Sequence, residues 1–223
     1  MNDFQQKIIN LCSDIKLLTD EPMAAHTSFR IGGGAEVMAF PSNADELSFL
    51  LKLSKQMDIR TYILGAGTNV LAPDEGLQGL VICLKDALDG MELLDGDRLR
   101  VMGGVTMTRA AVFAANLGLA GMEFAHGIPG TVGGGVYMNA GAYGGEICQI
   151  CESVTVMNRC GELRTLDNSQ MEFSYRHSIL EETGDIVVSA VFRLEKGDKE
   201  EIKGRMRELM QKKALRMKPY GSS

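Results

Sequence analysis

One long glycine-rich tract limits what this chain can fold into. Residues 126–146 read H-G-I-P-G-T-V-G-G-G-V-Y-M-N-A-G-A-Y-G-G-E, with eight glycines in twenty-one positions. The glycines alternate with small and apolar residues, whereas a flexible linker would be polar. Because glycine lets a backbone approach a ligand closely, the tract predicts a folded segment that wraps a large, flat ligand. A short helix opened by Pro129 would direct its first N–H groups at phosphate. A packed corner between a helix and a strand is the alternative.

A second glycine loop, G-A-G-T-N at residues 65–69, follows a predicted strand at residues 60–64. Two glycines, a hydroxyl and an amide at a strand end suit a pyrophosphate, although a plain turn explains this loop equally well. The loop is not a Rossmann fingerprint, because Val70 stands at the third glycine position and Pro73 follows instead of a helix. The sequence G-x-x-x-x-G-K-[S/T] does not occur.

Composition excludes several classes of protein. The 223 residues are 45% hydrophobic, which is enough for a substantial core. A net charge of −6, 6% aromatic residues and no Trp disfavour a nucleic-acid partner. The sequence shows neither a signal-peptide core nor a long apolar run, and its five cysteines are too few for a disulfide scaffold. We therefore expect a soluble, cytoplasmic protein without a membrane partner.

Hydrophobic periodicity predicts an α+β fold in two subdomains that meet near residues 85–90. Phe4, Ile8, Leu11 and Ile15 have helical spacing, and residues 27–41 resemble a strand, a glycine turn and a second strand. Further helices are predicted at residues 44–57, 107–117 and 199–217, and further strands at 80–84, 91–94, 99–102, 154–157, 163–166 and 186–194. Residues 195–219 hold nine basic and five acidic residues, a pattern more typical of a solvated helix face than of a phosphate-binding arm.

Two polar features offer rival chemistry. Cys148-x-x-Cys151 has metal or redox spacing, but a structural zinc site takes four ligands, and this segment leads into a strand rather than a helix. Ordinary half-buried thiols are the favoured interpretation. Arg176, in a loop between strands, is able to grip a carboxylate or a phosphate, although a surface arginine is the more common case. Neither H-E-x-x-H nor G-x-S-x-G occurs.

Four motifs occur together in one order: T-S-F-R-I-G-G, L-G-A-G-T-N-V-L, G-I-P-G-T-V-G-G-x-x-x-M-N-A-G-A-Y-G-G-E and F-x-Y-R-H-S. From about Pro22 to about Pro219 the chain resembles the UDP-N-acetylenolpyruvoylglucosamine reductase (MurB) family. The resemblance implies a two-subdomain FAD-binding fold of the vanillyl-alcohol-oxidase (PCMH) type. It also implies noncovalent FAD, NADPH as reductant, and reduction of UDP-N-acetylglucosamine enolpyruvate to UDP-N-acetylmuramate, a peptidoglycan precursor.

The resemblance assigns roles to residues that match the family's motifs. The pyrophosphate loop is matched by Gly65, Gly67, Thr68 and Asn69. The tract lining the flavin and its phosphates is matched by Gly127, Ile128, Pro129, Gly130, Gly133 and Gly134, and its continuation by Asn139, Gly141 and Ala142. Arg176 matches the catalytic arginine, with Tyr175 beside it in the substrate site. A valine at Gly67 or Gly130 is expected to abolish FAD binding more readily than it unfolds the protein.

The resemblance also predicts how the chain is divided. We expect an N-terminal helix at 1–21, FAD-binding subdomains at 22–86 and 87–196, and a basic helix at 197–223. The family's catalytic serine lies in a later motif, Y-P-x-x-G-S-x-F-K, and its catalytic glutamate lies later still. Ser222 and Ser223 lack the Phe-Lys that follows the serine in that motif, so neither is assigned as proton donor. We therefore expect a chain without the third, substrate-binding domain and with doubtful turnover. A non-catalytic FAD-binding remnant, or one half of a split enzyme, is the alternative.

Overall fold

The computed structural model describes residues 2–216. Its α-helices are α1 (Asp3–Leu11), α2 (Ala44–Gln56), α3 (Met107–Leu117), α4 (Val132–Tyr137), α5 (Ile147–Ile150), α6 (Leu180–Thr183) and α7 (Lys199–Arg216). Its strands are β1 (Lys16–Pro22), β2 (Gly34–Phe40), β3 (Thr61–Leu64), β4 (Leu77–Cys83), β5 (Met91–Asp95), β6 (Arg98–Met102), β7 (Leu119–Ala120), β8 (Gly141–Ala142), β9 (Gly145–Glu146), β10 (Cys151–Met157), β11 (Leu163–Asp167), β12 (Ile186–Arg193) and β13 (Glu195–Lys196). Short 3₁₀ helices occupy Met23–Ala25, Glu123–Gly127 and Ser169–Met171. Every helix within residues 2–216 is too short or too polar to cross a bilayer.

The first sheet contains four strands in the order β1-β2-β4-β3. β1 runs antiparallel to β2, whereas β2 and β3 both run parallel to β4. Helix α2 connects β2 to β3 and buries Leu47 and Leu50 in the same cluster as Leu80 and Ile82 of β4. The carboxyl end of β3 leads directly into the loop at residues 65–70, which places that loop at the edge of the sheet.

The second sheet is antiparallel throughout, in the order β11-β10-β12-β6-β5. Its largest core joins Val101 of β6 to Ala110 of α3 and Val136 of α4. Helix α7 adds Ile202 and Met206 to the same core. The glycine-rich tract, which contains α4, therefore packs against this sheet and against helices α3 and α7.

The two sheets share a buried cluster. Leu80 and Ile82 of the first sheet lie in one cluster with Met157 and Val188 of the second. The chain passes from one sheet to the other between Cys83 and Met91. The domain borders at 21/22, 86/87 and 196/197 stay predictions. Ser222 and Ser223 lie outside the described residues.

Two of the predicted helices are confirmed together with their capping residues. Asn43 caps α2 by accepting a hydrogen bond from the Glu46 N–H at 2.9 Å. Thr106 caps α3, and Gly118 ends that helix with a φ of 76°. The predicted hairpin of β5 and β6 is also confirmed.

Two predicted elements are wrong. The N-terminal helix ends at Leu11 rather than near residue 21, and Lys16–Pro22 forms a strand on β2. Ile15 has helical spacing from Ile8 because both side chains enter one core, although the chain has already left the helix. Residues 27–33 form a loop instead of a strand, since the Ser28 N–H donates to the Gly67 carbonyl at 2.9 Å.

Candidate functional site

A groove of about 840 Å³ lies between the loop at residues 65–70 and the glycine-rich tract. This volume lies within the range of about 300–1,000 Å³ that is usual for small-molecule and cofactor sites. The predicted site residues that line it are Gly65, Gly67, Thr68, Asn69, Gly127, Ile128, Pro129, Gly130, Gly134, Gly141, Ala142 and Arg176. The lining residues that sequence reasoning missed are Ala66, Val70, Met107, Thr131, Gly135, Met138, Ala140, Tyr143 and Lys213.

The loop at residues 65–70 presents main-chain donors to this groove. Within residues 2–216, none of the N–H groups from Ala66 to Val70 donates to a backbone carbonyl. The Thr68 hydroxyl donates to the Pro129 carbonyl at 3.3 Å and so ties this loop to the opposite wall. Successive unpaired N–H groups form a concave anion site. The geometry therefore favours a pyrophosphate site here over a plain turn.

Helix α4 does not supply the phosphate donors that a helix opened by Pro129 was predicted to supply. The helix begins at Val132 and is capped by Thr131, whose hydroxyl accepts from the Gly134 N–H at 3.3 Å. The Val132 N–H donates to Val105 at 2.7 Å, and the Gly133 N–H donates to Gly103 at 2.9 Å. The first N–H groups of α4 are thus satisfied inside the protein, so the loop at residues 65–70 is the better anion site.

The glycines of the site divide into two groups according to what a side chain would meet. A Cβ on Gly67 would lie 2.0 Å from the His26 carbonyl oxygen, and one on Gly133 would lie 3.0 Å from the Gly103 oxygen. By contrast, a Cβ on Gly134 would meet only the Thr131 hydroxyl, at 3.6 Å. Gly67 is therefore needed for packing as well as for the groove, so a valine there is expected to destabilise the fold in addition to weakening FAD binding. Gly133 serves packing and does not line the groove.

Arg176 lies where the groove joins a smaller pocket of about 280 Å³. Its guanidinium donates to the Gly141 carbonyl at 3.0 Å and lies 5.8 Å from the centre of the Tyr175 ring. Tyr175 is 85% exposed and lines only the smaller pocket. Arg176 therefore lines both the groove and the smaller pocket, whereas Tyr175 lies beside the groove.

Asn139 lines the smaller pocket and is absent from the wall of the large groove. Its amide donates to Glu146 at 3.1 Å and to the Ser174 carbonyl at 2.9 Å, and its oxygen accepts from the Cys148 N–H at 3.0 Å. The side chain is 2% exposed and is occupied by these partners. Asn139 therefore fixes the loop that carries Arg176, and the structure does not direct its amide toward the large groove.

The large groove is positively charged. Its charged lining residues within the described part of the chain are Arg176 and Lys213, and none of its lining residues there is acidic. The Lys213 ammonium donates to the Gly127 carbonyl at 2.7 Å. Glu146 borders only the smaller pocket. An anionic ligand is favoured in the groove on this charge balance.

The cysteine pair contributes no metal centre to this site. Across residues 2–216 no cluster of three His, Cys, Asp or Glu side chains is arranged to hold a metal ion. Burial raises the pKa of the Cys151 thiol to about 12, and burial also raises the pKa of Cys148. Both thiols are therefore protonated at neutral pH, which is typical of structural cysteines.

Comparison with known proteins agrees with this geometry. Residues 35–167 match the family model described as FAD binding domain, which defines the chain as carrying a flavin-binding module of the predicted vanillyl-alcohol-oxidase type. The reductase of Lactobacillus acidophilus named UDP-N-acetylenolpyruvoylglucosamine reductase is 47% identical over 181 residues, which cover 81% of this chain and 60% of that protein. The protein of the same name from Caldanaerobacter subterraneus subsp. tengcongensis is 42% identical, covering 93% of this chain and 68% of that protein. This chain belongs to the UDP-N-acetylenolpyruvoylglucosamine reductase family.

A solved structure supports the same family. The UDP-N-acetylenolpyruvylglucosamine reductase (MurB) of Thermus caldophilus superposes with a TM-score of 0.75 at 30% identity, covering 92% of this chain and 70% of that one. The chain spans 60–64% of the length of the first three curated relatives it matches.

Proposed function

We propose that the large groove binds FAD noncovalently. The observation that carries this proposal is the combination of unpaired N–H groups at residues 66–70 with a groove whose lining, as far as residues 2–216 form it, holds two cations and no carboxylate. The permanent charge of FAD is the dianionic pyrophosphate, which such donors suit. Met107, Ile128 and Met138 supply an apolar wall for a flat ring system.

We further propose that the chain takes part in the NADPH-dependent reduction of UDP-N-acetylglucosamine enolpyruvate to UDP-N-acetylmuramate. Bound FAD would supply the hydride-transfer chemistry between NADPH and the enolpyruvyl double bond. The net reaction adds one hydride and one proton across that bond and oxidises NADPH to NADP⁺. Membership of the family supports this choice of reaction and substrate.

Within that reaction, Arg176 is proposed to hold the carboxylate of the enolpyruvyl group. An arginine stays charged at any working pH and offers a planar pair of donors to a carboxylate. Its fixed positive charge would also stabilise the negative charge that spreads into the carboxylate during reduction. Its position between the groove and the smaller pocket, 3.0 Å from the Gly141 carbonyl, supports this role. Tyr175 lies beside it on the substrate side.

A reducing compartment suits this function, and we propose the cytoplasm. All five cysteines are free thiols, as is usual in a compartment that keeps thiols reduced.

The function is tested by purifying the protein and releasing its flavin with acid, then following NADPH oxidation with and without the enolpyruvyl-UDP-sugar. We expect a yellow protein whose flavin is fully released as FAD, and stimulation of NADPH oxidation by the sugar would support the reductase proposal. Colour retained in the precipitate would contradict noncovalent binding. Bound FAD without any stimulation would refute the reductase activity of this chain while leaving its FAD binding intact.

A further inference from the structure

We infer that Lys213 of helix α7 is a cofactor-binding residue, which supplies a positive charge to the pyrophosphate of FAD. This inference rests on the proposed function, since it names a contact in the same groove. Neither the glycine motifs nor the arginine motif includes helix α7, whose basic pattern is more typical of a solvated face than of a phosphate-binding arm. The inference therefore extends the cofactor site to a third part of the chain.

The position of Lys213 on its helix is the first support. Ile202, Met206 and Leu209 are 5–6% exposed and form the buried stripe of α7. Lys213 follows Leu209 by four residues and therefore lies on the same stripe. An apolar residue is expected at such a position, because this face packs on the core. Instead the stripe continues with a half-buried lysine at the point where it reaches the groove.

The contacts of Lys213 are the second support. Its ammonium donates to the Gly127 carbonyl at 2.7 Å, and its Cδ lies 3.6 Å from the place of a Cβ on Gly127. The aliphatic stem thus packs on the glycine tract while the charged end reaches the groove wall, the usual arrangement for a partly buried lysine. An ammonium has three donors, and one hydrogen bond to Gly127 leaves donors for an anion.

Helix electrostatics alone does not account for this arrangement. A cation near the end of a helix is favoured by the helix dipole, but an exposed cation satisfies that preference equally well. Lys212, the next residue back, is such a cation: it is exposed and pairs with Glu208 at 2.6 Å. Lys213 has no carboxylate partner among the described residues and faces a groove without acidic lining. An anionic ligand is the partner that this charge lacks.

The test compares Lys213→Met with Lys212→Met, a neighbouring change of the same chemistry on the exposed face. FAD is titrated into the flavin-free protein, and its dissociation constant is followed by flavin fluorescence at several salt concentrations. We expect Lys213→Met to raise the Kd about tenfold and to flatten its salt dependence, because one charge-assisted contact is lost. Lys213→Arg should restore most of the affinity, and Lys212→Met should leave the Kd unchanged.

Three outcomes would overturn the inference. A wild-type Kd in Lys213→Met with a lowered melting temperature would show that the lysine only fastens α7 to Gly127. An unchanged Kd with an altered flavin reduction potential would place the charge at the ring instead of the pyrophosphate. An equal loss of FAD affinity in Lys213→Met and Lys212→Met would reveal a general effect of positive charge instead of a contact made by Lys213. If the wild-type protein itself binds no FAD, the proposed function fails before this inference is reached.

Discussion

Gly134 offers a substitution that separates cofactor binding from folding. A Cβ at this position would meet only the Thr131 hydroxyl, at an ordinary 3.6 Å, and otherwise faces the open groove. Gly134 lies inside α4, where alanine is favoured over glycine by up to about 1 kcal/mol. We therefore expect Gly134→Ala to leave the flavin-free protein as stable as the wild type or more so. The gain would raise its melting temperature by at most about 2–4 °C.

The same methyl group should weaken FAD binding. If the ligand lies against the backbone of α4, the added carbon occupies space that the ligand needs. Overfilling a packed contact by one or two carbons costs about 1–3 kcal/mol. This cost corresponds to a dissociation constant that is higher by about 5- to 150-fold. Stability and affinity are thus predicted to change in opposite directions.

The assay pairs thermal unfolding of the flavin-free protein with titration of FAD. Gly67→Ala is the matched comparison, because its Cβ would lie 2.0 Å from the His26 carbonyl oxygen at a backbone φ of +62°. That variant should lose at least about 1–2 kcal/mol of folding stability from the left-handed backbone alone, and FAD affinity as well. Wild-type FAD affinity in Gly134→Ala would refute the reasoning, since it would show that the ligand does not approach α4.

Three further changes test other parts of the site and fold. Arg176→Ala should leave the Kd for FAD nearly unchanged, and wherever the wild-type protein shows substrate-dependent NADPH oxidation it should lower that rate by about 10²–10³-fold; loss of FAD would contradict its assignment to the substrate. The hydrogen bond from Arg193 lowers the pKa of Glu152 below its ordinary 4.5, so this group stabilises the fold above that pH and ceases to do so as the pH falls through the lowered value. Glu152→Gln should therefore lower the melting temperature at neutral pH, and the difference in melting temperature from the wild type should shrink as the pH falls. A difference that stays constant with pH would show that the ionisation of Glu152 does not stabilise the fold. Burial raises the pKa of Cys151 to about 12, so iodoacetamide at neutral pH should modify the half-exposed Cys160 first. Mass spectrometry reads the order of labelling, and rapid labelling of Cys151 would show that it is not buried.

Helix ends were predictable because their chemistry is local. Asn43 and Thr106 each supply an oxygen to an N–H group three residues later, and Gly118 takes the left-handed conformation that ends a helix. These interactions involve residues close together in the sequence, so the sequence alone contains the signal. The N-terminal helix was predicted too long because its signal was not local. Ile15 reaches the core of Ile8 through tertiary packing, which imitates helical spacing without a helix.

The sequence predicted which segments form the candidate site, but it did not predict which residue in each segment faces the groove and which packs inside the protein. The glycine content of residues 126–146 predicts a close approach of their backbone to another group. Neighbouring glycines differ in whether that group belongs to the protein or to a ligand in the groove. Gly133 is close to the Gly103 carbonyl, whereas Gly134 faces the groove. Asn139 belongs to the same motif, yet its amide is held by Glu146 and Ser174. Such differences depend on residues distant in sequence, so spacing along the chain does not contain them.

The groove exists only where the two sheets meet, and this arrangement couples ligand binding to folding. The unpaired N–H groups at residues 66–70 follow β3 of the first sheet, whereas Lys213 and the glycine tract pack on the second. The two walls are joined by the hydrogen bond from the Thr68 hydroxyl to the Pro129 carbonyl, and Thr131 lies close to Gly65, since a Cβ there would lie only 2.7 Å from the Thr131 hydroxyl. Since the first N–H groups of α4 are already bonded to Val105 and Gly103, the free main-chain anion donors lie on the first wall, whereas the apolar surface of Met107 and Ile128 lies on the second. A ligand that needs both therefore binds only the docked arrangement, and its binding free energy adds to the cohesion between the sheets.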